Sequence, residues 1–165
     1  MKVYHGTSSA GAKAIEQFGF VKREASLSID NQGQYCFIEA TFVSPDREIA
    51  HIYESNNRPT SDGNTGDPKL IEVELTSNNI YDLTKKENQR ELLDYLKNEG
   101  ATVNDFLSSK GYDGVRQIHK NDFGRVRLEY AIINLDVLKI VSIPKKSTKA
   151  MSLYNEAMLP DSILD

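Results

Sequence analysis

The sequence predicts an α+β domain rather than a doubly wound parallel sheet. Candidate strands and helices do not alternate regularly along the chain. The last three strand candidates, residues 115–118, 126–134 and 137–143, follow one another closely, as antiparallel neighbours do. Neither G-x-G-x-x-G after a strand nor G-x-x-x-x-G-K-[ST] occurs, so the usual Gly-rich phosphate loops of parallel α/β folds are missing. At 165 residues the chain fits one domain able to bury a core without staples.

The elements follow in order. Residues 2–5 alternate as a short strand, and Gly6-Thr7-Ser8-Ser9 reads as a turn that can cap a helix. Ala10, Ala14, Ile15 and Phe18 share a helical face, and Gly19 is placed to end that helix. Residues 21–33 are polar and read as loop. Residues 34–43 are rich in strand formers. Ser44-Pro45-Asp46 then resembles a helix start, with Ser as N-cap, Pro at the first position and an acid in the first turn, and the helix is expected to reach about Tyr53. Residues 55–67 contain only loop formers and are expected to be a mobile surface loop. Residues 70–75 alternate as a strand. Thr84-Lys85-Lys86-Glu87 spells a capping box before Leu92, Leu93 and Leu96, and Gly100 stops that helix. A shorter helix follows Thr102 and ends near Gly111. One domain is expected over residues 1–145, followed by a tail, 146–165, packed on the surface or mobile.

Charge and composition exclude several functions. The net charge is −4 with a sequence pI of about 5.4, and no basic block is present to grip a duplex, although a local groove for a single strand stays open. The single cysteine, Cys36, cannot form an internal disulfide. His5, His51 and His119 lack metal-ligand spacing, so no metal is expected. No apolar run approaches membrane length, and the first residues lack the core of a signal peptide, which makes the cytoplasm the default address. A toxin or effector exported by another route would carry the same features.

Three stretches carry candidate chemistry. In Tyr4-His5-Gly6-Thr7-Ser8 an imidazole stands beside a glycine that lets a ligand approach the backbone; the alternative is a plain strand end running into a capped helix. Phe42 and Tyr53, a helix apart, could face each other across a flat heteroaromatic ring, or both could be core. In Val126-Arg127-Leu128-Glu129-Tyr130-Ala131-Ile132-Ile133, alternation puts Arg127, Glu129, Ala131 and Ile133 on one face. Glu129 is then exposed, paired with Arg127 or another neighbour, or set in a cleft.

Together these stretches resemble a family. His5 in YHGT, the aromatic Phe42 in ATFVS followed by AHIY, and Glu129 in LEYAII are similar to the His–Tyr–Glu arrangement of diphtheria-toxin-like ADP-ribosyltransferases, which include poly(ADP-ribose) polymerase catalytic domains. Tyr35, Phe37, Phe42 and Tyr53 match that group's aromatic spacing, and GYDGV followed by EYAIINLDVLKI resembles the end of many small members. The resemblance spans residues 3 to about 143. It implies a split β-sheet core with flanking helices around an NAD cleft, and NAD consumed as a substrate. It implies that His5 bonds a ribose, Gly6 backbone groups hold the nicotinamide carboxamide, and Thr7 reaches the adenosine ribose. Phe42 and Tyr53 would sandwich nicotinamide, Tyr35 belongs to the same aromatic set, and Arg23 or Lys22 would lie near the adenosine half. Glu129 would bind the nicotinamide-ribose hydroxyl and steady positive charge as the glycosidic bond breaks. The chain departs from the family pattern with Phe42 where the middle Tyr is usual and Ala50 where polymerase-type members carry Ser. The implied activity is mono-ADP-ribosylation of a macromolecule, protein or nucleic acid, at a site other than arginine. The rivals are an NAD glycohydrolase on the same fold, a degenerate module binding ADP-ribose or a protein partner, and a modifier of a small molecule such as a rifamycin.

Overall fold

The computed structural model describes residues 1–27, 29, 36–47, 50, 68–120 and 126–143. The chain forms an α+β fold with two sheets and three helices among these residues. The order is β1 (Lys2–Ser8), α1 (Ser9–Phe18), β2 (Arg23–Leu27), β3 (Cys36–Val43), β4 (Pro68–Leu75) and β5 (Ile80–Asp82). Then come α2 (Lys86–Glu99), α3 (Val103–Lys110), β6 (Gly114–Lys120), β7 (Val126–Ile132), a 3₁₀ turn (Leu135–Val137) and β8 (Leu138–Ser142). One sheet has strand order β1-β4-β8 and the other β2-β3-β7-β6-β5, every pair antiparallel except β5 with β6.

The two sheets share a core. Val3, Ile71 and Val73 from the smaller sheet meet Val43, Tyr130 and Ile132 from the larger one, with Ala12 and Ile15 of α1 closing the side. The opposite face of the larger sheet carries Ile38, Ala40, Val115 and Ala131 and packs with Leu92 of α2 and Val103, Phe106 and Leu107 of α3. Alternation along the strands divides one apolar set per face, so each strand of the larger sheet is hydrophobic on both sides where it is central.

Local signals explain most boundaries. Ser8 accepts from the Gly11 amide and starts α1, and Gly19, at φ 83°, ends it. Thr102 and Asp105 form a complete capping box at α3, and Gly111, at φ 76°, ends that helix in the left-handed region. Gly114 is required by packing. A Cβ there would stand 2.4 Å from the Ala131 carbonyl oxygen, so only glycine lets β6 lie this close to β7.

Several expectations are corrected. Residues 21–33 are not all loop, because β2 pairs with β3 over Arg23–Leu27. β1 runs on through the anticipated turn to Ser8, since Gly6, Thr7 and Ser8 each find a partner on β4. The buried face of α1 is Ala12 and Ile15, while Phe18 is 76% exposed. The Thr84 capping box does not form: the Thr84 hydroxyl donates to Asp82 instead, and Lys85 caps α2 without a side-chain bond. Ser44 also forms an isolated β-bridge with Tyr4, while its hydroxyl accepts from the Asp46 amide as a cap does; Arg47 and Ala50 are helical, as expected, with the Ala50 amide 3.4 Å from the Asp46 carbonyl. Of the three final strands, β6 and β7 are antiparallel neighbours, but β8 crosses to the other sheet and pairs with β4. The expected loop over 55–67 and the tail from 146 lie outside the described residues.

Candidate functional site

β1 and the end of β3 meet edge to edge. The Tyr4 amide donates to the Ser44 carbonyl at 2.7 Å, and the Ser44 amide donates to the Tyr4 carbonyl at 3.0 Å. Because strand backbone groups point alternately to either side, Tyr4 and Gly6 both turn theirs away from β4, toward β3. Extending the Tyr4–Ser44 pairing would set Gly6 opposite Phe42. The bridge is isolated, however, so the ladder stops there and the strands part. Gly6, itself buried, and Phe42 therefore stand on the two strand edges of a wedge that begins past this bridge, with the Phe42 side chain on the helix-side face of the larger sheet.

His5 spans that wedge. Its Nδ1 lies 2.8 Å from the Phe42 carbonyl oxygen. A carbonyl only accepts, so Nδ1 carries the proton, and in the neutral ring Nε2 is left as an acceptor. Burial pushes the imidazole below its ordinary value of 6.5; the bond to Phe42 opposes this and the nearby Arg23 charge adds to it. The ring also meets Phe20 edge-on, centroids 5.4 Å apart. The arrangement favours a neutral histidine that can accept a hydrogen bond from a hydroxyl.

Glu129 is buried, 1% exposed. It is opposite Gln117 on β6, and the Gln117 Nε2 donates to Glu129 Oε2 at 2.9 Å. Phe42 is opposite Ala131, two residues along β7 on the same face as Glu129. Ser44 continues the line: it is buried, its hydroxyl donates to the Leu128 carbonyl at 2.8 Å, and it accepts from the Asp46 amide. Arg127, also on the Glu129 face, pairs with Asp46, Nε to Oδ2 2.5 Å. Glu129 thus takes a neutral partner across the sheet while the arginine two residues away is held by a different carboxylate.

The structure therefore brings His5, Gly6, Phe42 and Glu129 to one region, by a hydrogen bond, a strand edge and a register. Thr7 is buried in β1 opposite Lys69, on the same face as His5. Arg23 opens β2, exposed, opposite Ala40. Lys22 instead lines a separate cavity of about 450 Å³ with Asn104, Ser108, Tyr112, Asp113 and Asn134. Much of that lining is already bonded internally, Asn104 to both backbone groups of Glu39 and Asn134 to Asp113. Tyr35 and Tyr53 lie outside the described residues. The sequence reading missed Gln117, Ser44 and Asp46. Gln117 sits in the predicted strand 115–118 on the face of Val115, a polar residue at an inward position, but only the register shows what it faces.

Among the described residues no group of three or more His, Cys, Asp or Glu side chains is placed to hold a metal ion. No helix among them is long and apolar enough to cross a membrane. Cys36 is buried, and burial pushes its thiol up, away from a reactive thiolate. No protein-family profile matches the chain, and a comparison with curated proteins gives no match either.

Proposed function

We propose that this chain is an NAD-dependent mono-ADP-ribosyltransferase of the diphtheria-toxin-like type, acting on a macromolecule and releasing nicotinamide. The observation that carries the reading is the His5 bond to the Phe42 carbonyl at the point where β1 and β3 part, with Phe42 in register two residues from buried Glu129. In this reading NAD lies in the wedge. The His5 Nε2 accepts from a ribose hydroxyl, the outward backbone groups of Gly6 meet the carboxamide, and the Phe42 ring offers a stacking face to nicotinamide. Thr7 and Arg23 lie toward the adenosine half.

The chemistry suits a site of fixed charge. The bond from ribose C1′ to the pyridinium nitrogen breaks, and its electron pair leaves with nicotinamide, which departs neutral. The ribose is left with oxocarbenium character, and the Glu129 carboxylate steadies that charge more in the transition state than in the bound substrate. The acceptor's oxygen or nitrogen then bonds C1′; a hydroxyl or N–H acceptor loses its proton to solvent, and a carboxylate attacks as the anion. An arginine acceptor would need a carboxylate to draw off a proton that free guanidinium does not release. The position two residues before Glu129 is Arg127, already paired with Asp46. The acceptor is therefore an acidic or hydroxyl side chain or a nucleic acid. Transfer of one unit fits a chain with little surface to spare for a growing polymer.

Incubation with labelled NAD in a whole-cell extract, followed by separate protease and nuclease digestion, tests the proposal. Label on a macromolecule, lost to one of the two digestions, is the expected result. Label found only as free ADP-ribose makes the chain a glycohydrolase, and no nicotinamide release at all overturns the reading. Mass-spectrometric mapping of the label mainly to arginine overturns the acceptor class.

A further inference from the structure

Gln117 and Glu129 are the two buried polar residues that face each other across β6 and β7, 2% and 1% exposed. A carboxylate taken out of water is costly unless hydrogen-bonded. Any buried donor would lower that cost, but this one also fixes direction. Gln117 is held mid-strand, and its partner strand is drawn in close by Gly114, where a Cβ would collide with the Ala131 carbonyl. The 2.9 Å bond from Gln117 Nε2 to Glu129 Oε2 therefore sets one oxygen of the carboxylate from a rigid frame rather than from a loop. Because a carboxylate can only accept, the amide must present its NH₂ group.

We propose that Gln117 is a positioning residue for Glu129, orienting the carboxylate for the transition state without touching the substrate. This rests on the ADP-ribosyltransferase reading above. Gln117→Met keeps the side-chain length and removes the donor; Gln117→Asn keeps the amide and withdraws it by one methylene. Both are expected to lower kcat for nicotinamide release roughly ten- to hundredfold, the scale of a misaligned catalytic group. The KM for NAD should stay within about twofold, since most contacts to bound NAD are those of His5, Gly6 and Phe42. In a double-variant cycle, Gln117→Met added to Glu129→Gln should cause no further loss of rate, because the group it orients has lost its charge. Circular dichroism and thermal melting show whether each variant is folded at the assay temperature, and Gln117→Asn carries the test if Gln117→Met is not. Parental kcat in a folded Gln117 variant, or losses that simply multiply with Glu129→Gln, overturn the assignment while leaving the ADP-ribosyltransferase reading intact. A parent chain that releases no nicotinamide overturns both.

Discussion

The larger sheet has one face with two characters. Around Ile38, Ala40, Val115 and Ala131 it is dry and apolar, sealed by Leu92, Phe106 and Leu107 from the helices. One step further along β6 and β7 the same face carries Gln117 and Glu129, just as deeply buried. Apolar residues at those two positions would extend the core and avoid the desolvation of a carboxylate. The difference separates an apolar region from one that keeps a buried carboxylate at a cost in desolvation, the region to which the proposed function assigns catalysis.

Substitutions on the two sides should fail in different ways. Phe106 is fully buried against Tyr81 and Tyr95, and Phe106→Ala is expected to cost about 3–5 kcal/mol of stability. Chemical denaturation measures this, and below the unfolding transition the remaining folded protein should turn over NAD normally. Glu129→Gln inverts the pattern. It should reduce nicotinamide release roughly 100- to 1,000-fold while the fold and NAD binding persist. Full turnover in that variant would place the catalytic carboxylate elsewhere.

Phe42 lies on the border, partly buried against the helix-side core while its carbonyl holds His5. Phe42→Tyr should keep or raise activity, and Phe42→Ala should weaken NAD binding in titration calorimetry through lost stacking. Parental affinity in both would make Phe42 purely a core residue. The smallest effect is electrostatic. The folded value of His5 lies below 6.5, so on acidification the unfolded chain takes up this proton first. Its contribution to stability is therefore complete above about pH 6.5 and falls as the pH drops from there toward the folded value. Melting temperatures of the parent should decline more steeply below about pH 6.5 than those of His5→Gln; identical slopes would mean that His5 is not held neutral.

The sequence made β3 legible through its run of strand formers and β4 through its alternation. β2 escaped notice because Arg23, Glu24 and Ser26 give an edge strand a loop's composition, and only Leu27 is fully buried. On α1 Ile15 is buried as expected, but small alanines make several stripes look alike, and the contact with the two sheets sets Ala12 beside it and leaves Phe18 exposed. At Thr84 a local competitor, Asp82, took the hydroxyl that the capping pattern needed. His5, Phe42 and Glu129 could be singled out by type and order. Gln117 could not, because its role depends on β6 being aligned with β7 so that residues 117 and 129 coincide, and register is not written in either strand alone.

The bridge between Tyr4 and Ser44 gives the molecule a built-in reporter. These two amides are protected by bonds that cross from one sheet to the other, whereas the amides of Val3 and Ile132 are protected within a single sheet. Deuterium uptake at Tyr4 and Ser44 thus counts how often the sheets separate, while uptake at Val3 and Ile132 counts how often each sheet itself opens. The ratio of the two clocks isolates the breathing of the wedge from the unfolding of its walls, and a molecule seated between Gly6 and Phe42 would slow the first clock before it slowed the second.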